Sequence, residues 1–374
     1  MKKKVLLLTV ATMSLLLSAC NKETPKSHQH VWGEVTYTWA EDYLSCTAER
    51  VCTLDESHIE TETNNSTYTV LTEPTFAEDG IGRYTGEFIN EAFETQTHDV
   101  VIPQLVNDGS VPVLSEDGKT VTYGIFPQTR ISDSDFVFEL ETNADWLDSG
   151  WYEYDGDYYA KVYSNPYATD YYFDNGDLIE KNKNYWFKYE PITWNVLSND
   201  DGECLLVSET LLEATYYSYS NNNNYMNSSI RDHLNDEFLT RAFVLGDDNL
   251  LTTTVDNSAA STASASNPYA CDNTEDKVFL LSYKDYITSD YGFSTSDSNS
   301  STRYCKTTDY SRACGACIST SSSTLNNGLY WTRSPNSGNQ RYAMHVRTDG
   351  TIHYDNNTNY KYLCTRPAIT ITLN

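Results

Sequence analysis

The chain has 374 residues, long enough for a sizeable core and for more than one domain. Its 53 acidic residues against 25 basic ones give a formal charge of −28. So acidic a surface argues against nucleic acid as a partner and against adhesion of the folded part to an anionic membrane.

The first twenty residues carry three features in order. Lys2, Lys3 and Lys4 precede an apolar run over residues 5–17, and Leu17-Ser18-Ala19-Cys20 has the form of a bacterial lipobox. Together they resemble a lipoprotein signal peptide, which implies cleavage before Cys20, a lipid on that cysteine and an extracytoplasmic location with the lipid as the membrane contact. The apolar run is about thirteen residues, short of the roughly twenty a spanning helix needs. Losing the leader would take three lysines with it, leaving 22 basic against 53 acidic residues and a formal charge of −31. Of the nine cysteines, eight remain after Cys20, an even number that in an exported chain permits up to four disulfides.

Residues 21–30 (NKETPKSHQH) read as a polar tether. Over residues 31–105 the composition changes to alternating Thr, Val, Tyr and Trp in two similar halves, each with the pattern of strand, turn and strand. This predicts a small all-β module. Residues 106–118 have the Gly, Pro and Asp content of a linker, and a second domain is expected over 119–374. Within it Asp155-Gly156, between aromatic runs, predicts a hairpin turn, and EPITWNVLS and ECLLVSE predict a buried hairpin across Asp200-Asp201-Gly202 with Cys204 in the core. One helix is clear: Ser229 can cap it, and Ile230, Leu234, Phe238 and Ala242 recur every four residues as an inward stripe. DKVFLLS predicts a further strand, and Ser/Thr/Asn-rich loops around 294–302 and 319–327 lead into the last 45 residues.

There, YWTRSP opens and TRPAITITL closes what reads as a terminal sheet. A Thr348-Asp349-Gly350 loop with Gly350 left-handed pairs Val346 with Ile352, Met344 with Tyr354 and His345 with His353, so that one face is core and the other wet. The wet face and the adjoining NNTNYKY supply the candidate ligand-binding residues: Trp331, Asn336, Asn339, Arg341, His345, His353, Asp355, Asn357, Tyr360 and Tyr362. Tyr and Asn give amphipathic contact area and adaptable hydrogen bonds, and opposed histidines can share a metal or titrate near neutrality. A solvated strand face with no ligand is the competing reading. Asp-rich stretches around Asp133 and Asp155 are candidates for calcium, although acidic loops are expected in so acidic a chain. Cys314-x2-Cys317 is read as a structural disulfide, with Cys271, Cys305 or each other, ahead of a redox pair or zinc half-site. No metalloprotease, hydrolase-elbow, phosphate-loop or EF-hand motif occurs.

Two resemblances add to this. His30-Val31-Trp32-Gly33 and Val101-Ile102-Pro103 resemble short repeats of bacterial surface proteins, some of which carry Cys and His at the spacing of a zinc knuckle. The corresponding set here is His30, Cys46, Cys52 and His58, suited to tetrahedral zinc; a Cys46–Cys52 disulfide, or free thiols, is favoured over metal by cysteine usage in exported chains. Tyr123-Gly124, Phe126-Pro127-Gln128, Pro191-Ile192, Arg231 with Leu234-Asn235, the VFLLS stretch, Trp331-x-Arg333-Ser334-Pro335 and Thr365-Arg366-Pro367-Ala368 resemble a family of uncharacterised domains of bacterial exported proteins over about 118–374. The last two motifs are also similar to the end of the C-type-lectin-like fold of sulfatase-modifying factors. The resemblance implies an α+β, C-type-lectin-like second domain with few helices and long loops, in which Arg333 and Arg366 brace the terminal sheet. The expected function is recognition of a glycan or surface protein without catalysis. The alternatives are a sulfatase-modifying-type enzyme with a reactive thiol in a cleft, and a purely structural envelope protein.

Overall fold

The computed structural model describes residues 28–76, 78–148, 150–263 and 266–373; the leader, Cys20 and the tether up to residue 27 lie outside them. The chain divides into two compact units, Met1–Leu105 and Val106–Asn374. Among the described residues, no helix is long and apolar enough to cross a membrane.

The first unit contains two antiparallel meanders of three strands each, one strand more per half than the sequence suggested: Thr36–Trp39, Ser45–Val51 and Ile59–Asn65, then Thr67–Thr72, Gly80–Gly86 and Gln96–Ile102. Thr-rich alternation makes these strands, since β-branched side chains suit a pleated, half-covered surface. The unit's described residues make little core: the buried apolar side chains among them are Cys46, Ala48, Cys52 and Phe93, whereas Val31, Leu44, Leu54, Ile59 and Ile81 are exposed. Aromatic stacking supplies part of the contact, with Tyr43 4.0 Å above the His98 ring and Tyr68 4.9 Å from Tyr84. A module this small with so little buried apolar surface needs a staple.

The second unit has the opposite character. A ten-stranded sheet is organised on the long strand Asn184–Asp200, which pairs with Thr120–Arg130 on one side and with Asp157–Tyr163 and then Glu203–Ser208 on the other. Pro367–Thr372 continues the sheet beyond Glu203–Ser208. Trp194 is fully buried at its centre and donates its indole N–H to the Tyr123 carbonyl at 2.7 Å. Both predicted hairpin turns form, with Asp155 and Gly156, and Asp201 and Gly202, at positive φ. The stretch read as a linker is not separate: Val113–Leu114 pairs with the strand Thr120–Arg130.

The helical stripe Ile230, Leu234, Phe238 and Ala242 is fully buried. Its cap is Ser228, whose side chain accepts from the Arg231 N–H, and the segment passes from α-helix (Ser229–His233) through a π-turn (Leu234–Phe238) back to α-helix (Leu239–Ala242). An exact four-residue repeat drifts by roughly 40° per step around an α-helix; the wider π-turn takes that drift out and keeps the four side chains on one line. A second helix, Ser134–Asn143, escaped the sequence reading because Leu140 is its one buried residue. Asp133 caps it by accepting from the N–H groups of Asp135 and Phe136, which is the role of that acidic stretch.

The C-type-lectin-like expectation is overturned. The structure is mostly β, with 40% strand and 12% helix distributed over several sheets. The closing stretch is the physical reason: it does not complete one terminal sheet. Cys364–Thr365 joins a five-stranded sheet with Glu213–Ala214, Tyr330–Pro335, Tyr342–Val346 and Ile352–Asn357, while Pro367–Thr372 belongs to the ten-stranded sheet. Arg366 is the residue at which the chain crosses between them.

In the terminal hairpin the register is largely as expected. Val346 pairs with Ile352 and His345 with His353, Gly350 has φ 75°, and an irregularity at Met344 displaces its pairing with Tyr354. A Cβ at Gly350 would lie 2.0 Å from the Ser300 carbonyl oxygen. Backbone leaves little room to yield, and the Gly350 carbonyl accepts from the buried Arg303 Nε at 2.7 Å. Gly350→Ala should therefore destabilise the second unit by roughly 2 kcal/mol or more, measured by urea unfolding; an unchanged midpoint would contradict the tight approach.

Candidate functional site

Among the described residues, one group of His, Cys, Asp or Glu side chains has the convergence a metal ion requires: His28, His30, Cys52 and His58, whose ligand atoms all lie within 4.8 Å of one another. The backbone builds it simply. Cys52 follows the strand Ser45–Val51 and is paired with Trp32 across an isolated bridge, so the segment carrying His28 and His30 runs beside it. The Cys52 N–H donates to the His58 carbonyl at 2.9 Å, which closes a short turn through Asp55 and places His58 on the far side. The three imidazoles lie face to edge and face to face at 4.8 to 5.0 Å between centroids, and Trp32 stacks on His30 at 5.0 Å.

Two details aim these side chains at a common point. The His58 Nδ1 is buried and has no hydrogen-bond partner, while its Nε2 lies 3.8 Å from Asp55 Oδ2. A carboxylate behind one ring nitrogen orients the other towards a metal. His28 Nε2 lies 3.4 Å from Cys52 Sγ, the separation that ligands on a tetrahedral zinc take, roughly 3.3–3.6 Å. Burial pushes the Cys52 thiol up, but hydrogen bonds from His28 and His30 and from the backbone at Leu54 and Val31 outweigh it and hold it at about 5.

The set differs from the one expected by one residue. His30, Cys52 and His58 come together; Cys46 does not, and His28 replaces it. Cys46 lies six residues before Cys52 along the same extended segment, about 20 Å away at strand rise. It is packed against Gly86 and Trp39, and burial raises its pKa. The same separation rules out a Cys46–Cys52 disulfide, which needs Cα atoms about 4.4–6.8 Å apart. His28 was assigned to the tether, yet the His28-x-His30 spacing was the available signal.

The other cysteines among the described residues are also free, including Cys314 and Cys317, so the expected disulfide among Cys271, Cys305, Cys314 and Cys317 does not form. Burial raises every thiol of the second unit: Cys305 to about 11, Cys314 to about 12, and Cys204, Cys271, Cys317 and Cys364 upward. An activated thiol, as the enzymatic alternative needs, requires the opposite shift. The Asp155 stretch is a hairpin turn in which Asp157 pairs with Lys188 at 2.9 Å, leaving the calcium reading without a convergent acidic group there.

The terminal-sheet candidates separate into different roles. Trp331 is fully buried, donating to the Thr215 carbonyl at 3.0 Å with Tyr217 edge-on at 5.5 Å, and is a core anchor. His345 is also buried, and burial lowers its pKa to about 3, so it stays neutral and does not titrate near neutrality as a wet-face histidine would. Asn336 and Asn339 spend their side-chain oxygens on N–H groups of their own turn, including those of Gly338 and Arg341. His353 is half-buried and bonds Asp355 at 2.5 Å; Asn357 is half-buried, and Arg341 and Asp355 are exposed. Tyr360 and Tyr362 stack at 5.2 Å, and Tyr362 meets Tyr167, which the sequence reading missed, at 5.1 Å. The two tyrosines are therefore the part of the predicted face that remains a continuous accessible aromatic surface. Arg333 and Arg366 do brace structure: Arg333 bonds the Leu280 carbonyl and Asp285, and Arg366 the Ser208 carbonyl.

A model of the family described as "Domain of unknown function (DUF6273)" matches residues 201–373, somewhat under half of the chain and wholly inside the second unit. Neither the curated proteins nor the solved structures give a match.

Proposed function

We propose that this chain is an extracytoplasmic binding protein, attached by a lipid on Cys20, in which the first unit is a spacer stapled by one zinc-class ion and the second unit carries recognition. No catalytic step is assigned to it. The observation that carries the reading is the convergence of His28, His30, Cys52 and His58 in a unit with almost no apolar core. Three imidazoles and a thiolate are a borderline-soft donor set that suits tetrahedral zinc and offers nothing to calcium, which prefers oxygen. Four protein ligands close the coordination sphere, the arrangement of a structural rather than a catalytic ion.

Elemental analysis of the soluble chain beginning at residue 21, loaded with Zn2+ and freed of excess, should find about one zinc per chain. Cys52→Ala and His28→Ala should each lose most of it, whereas Cys46→Ala should keep it. Stoichiometry well below one in the unaltered chain, or retention in the Cys52 and His28 variants, would remove the metal centre and with it the stapled-spacer reading.

A further inference from the structure

The contacts of five of the nine arginines in the second unit define distinct roles. Arg231, Arg312 and Arg333 each hold a carboxylate, on Asp276, Asp174 and Asp285 respectively, at 2.7 Å. Arg303 has no carboxylate, but its Nε, Nη1 and Nη2 donate to the carbonyls of Gly350, Tyr286, Ser294 and Ser298. Arg366 is the exception. It is 4% exposed, its Nε donates to the Ser208 carbonyl at 3.0 Å and its Nη1 to the Tyr330 hydroxyl at 3.3 Å, and its guanidinium lies 5.4 Å from the Tyr330 ring centre. Among the described residues no carboxylate pairs with it, and Nη2 has no hydrogen bond.

A buried guanidinium without a counter-charge is costly unless something completes it. Arg366 is not sealed in protein. It lines a cleft of about 520 Å³, within the range of small-molecule sites, together with Lys119, Tyr291, Phe293 and Tyr304. Nη1 and Nη2 form the edge of a planar fork that matches a carboxylate, and the crossover between the two sheets, followed by Pro367, holds that edge in place. We infer that this cleft binds a small organic carboxylate through Arg366, with the aromatic walls taking its apolar body and Lys119, whose ammonium pairs with Asp117 at 3.0 Å, at the rim. Glu209 also lines the cleft. Its charge opposes a purely anionic guest and suits one that carries an ammonium as well, so a free amino acid and an acylated one are distinguishable sources of the same carboxylate.

The cleft lies wholly in the second unit, and its occupancy is read independently of the metal centre. The test is titration of the isotope-labelled soluble chain with phenylalanine, N-acetylphenylalanine and phenylalanine amide, following the Arg366 side-chain and Phe293 backbone resonances. At least one of the two carboxylates should bind with Kd at or below about 1 mM, and the amide at least tenfold more weakly. Stronger binding of phenylalanine than of its acetyl derivative identifies the zwitterion, and the reverse identifies the simple anion. Arg366→Lys should weaken binding at least tenfold, and Lys119→Glu, at an exposed side chain that leaves the fold intact, by several-fold. No shift with either carboxylate at about 10 mM, equal binding of the amide, or undiminished binding in Lys119→Glu together with Arg366→Lys overturns the inference.

Discussion

Stripping the zinc-loaded protein with a strong chelator should open the first unit while the second stays folded. Amide exchange in Ser45–Val51 and Ile59–Asn65 should accelerate at least a hundredfold, equivalent to about 2.7 kcal/mol at 1.36 kcal/mol per factor of ten. The ceiling is higher, since structural zinc contributes about 10 kcal/mol or more of apparent binding energy in small modules. The expectation follows from where stability resides. Cys52 and His58 flank the turn joining those two strands, and His28 and His30 approach from the preceding segment, so a single bound ion would tie three pieces of backbone that have four buried apolar side chains among the described residues. Exchange in Glu203–Ser208, inside a core of its own, should not change. Equal protection in both units with and without the ion would mean that the first unit is held by its sheets alone.

Raising the pH from neutrality should weaken the second unit through His233. Its imidazole bonds Glu213 at 2.6 Å and lies 3.3 Å from Glu237, and the charge of Glu213, against the opposing effect of burial, raises its pKa to about 10. The folded protein thus binds a proton that the unfolded chain releases near 6.5. The stabilisation is fully present below that value and is lost as pH rises through about 10. His233→Ala should cost about 3–5 kcal/mol at neutral pH, because Glu213 is left buried and charged without its partner. Denaturant unfolding between pH 6 and 10 should show the slope in the unaltered protein and lose it in the variant. A flat profile in the unaltered protein would mean that the pair is not coupled to folding.

Much of the local structure was legible because it depends on near neighbours. Asp-Gly pairs specify turns with two residues at positive φ, and the four-residue stripe from Ile230 to Ala242 specifies a buried helical face. The hairpin register around Gly350 followed from alternation alone. What failed were statements about which surfaces meet. His345 alternates correctly for a polar strand face yet is buried, since alternation decides the side of a strand and not what covers that side. His345 pairs with the fully buried Trp331 on one neighbouring strand and lies 5.8 Å from the His353 ring on the other.

The site divides along the same line. From the sequence came three of the four converging ligands, in a set whose metal reading stood behind a Cys46–Cys52 disulfide or free thiols, and the brace role of Arg333 and Arg366. Only the tertiary structure decided between His28 and Cys46. Six residues along a strand place Cys46 and Cys52 far apart, whereas the Trp32–Cys52 bridge carries a segment twenty residues upstream to within bonding distance. It likewise took three dimensions to part Arg366 from the other arginines. The residue types are identical in sequence, and the difference is that the fold sets carboxylates beside Arg231, Arg312 and Arg333 and four carbonyls around Arg303, whereas Arg366 has the Ser208 carbonyl and the Tyr330 hydroxyl and lines a cleft.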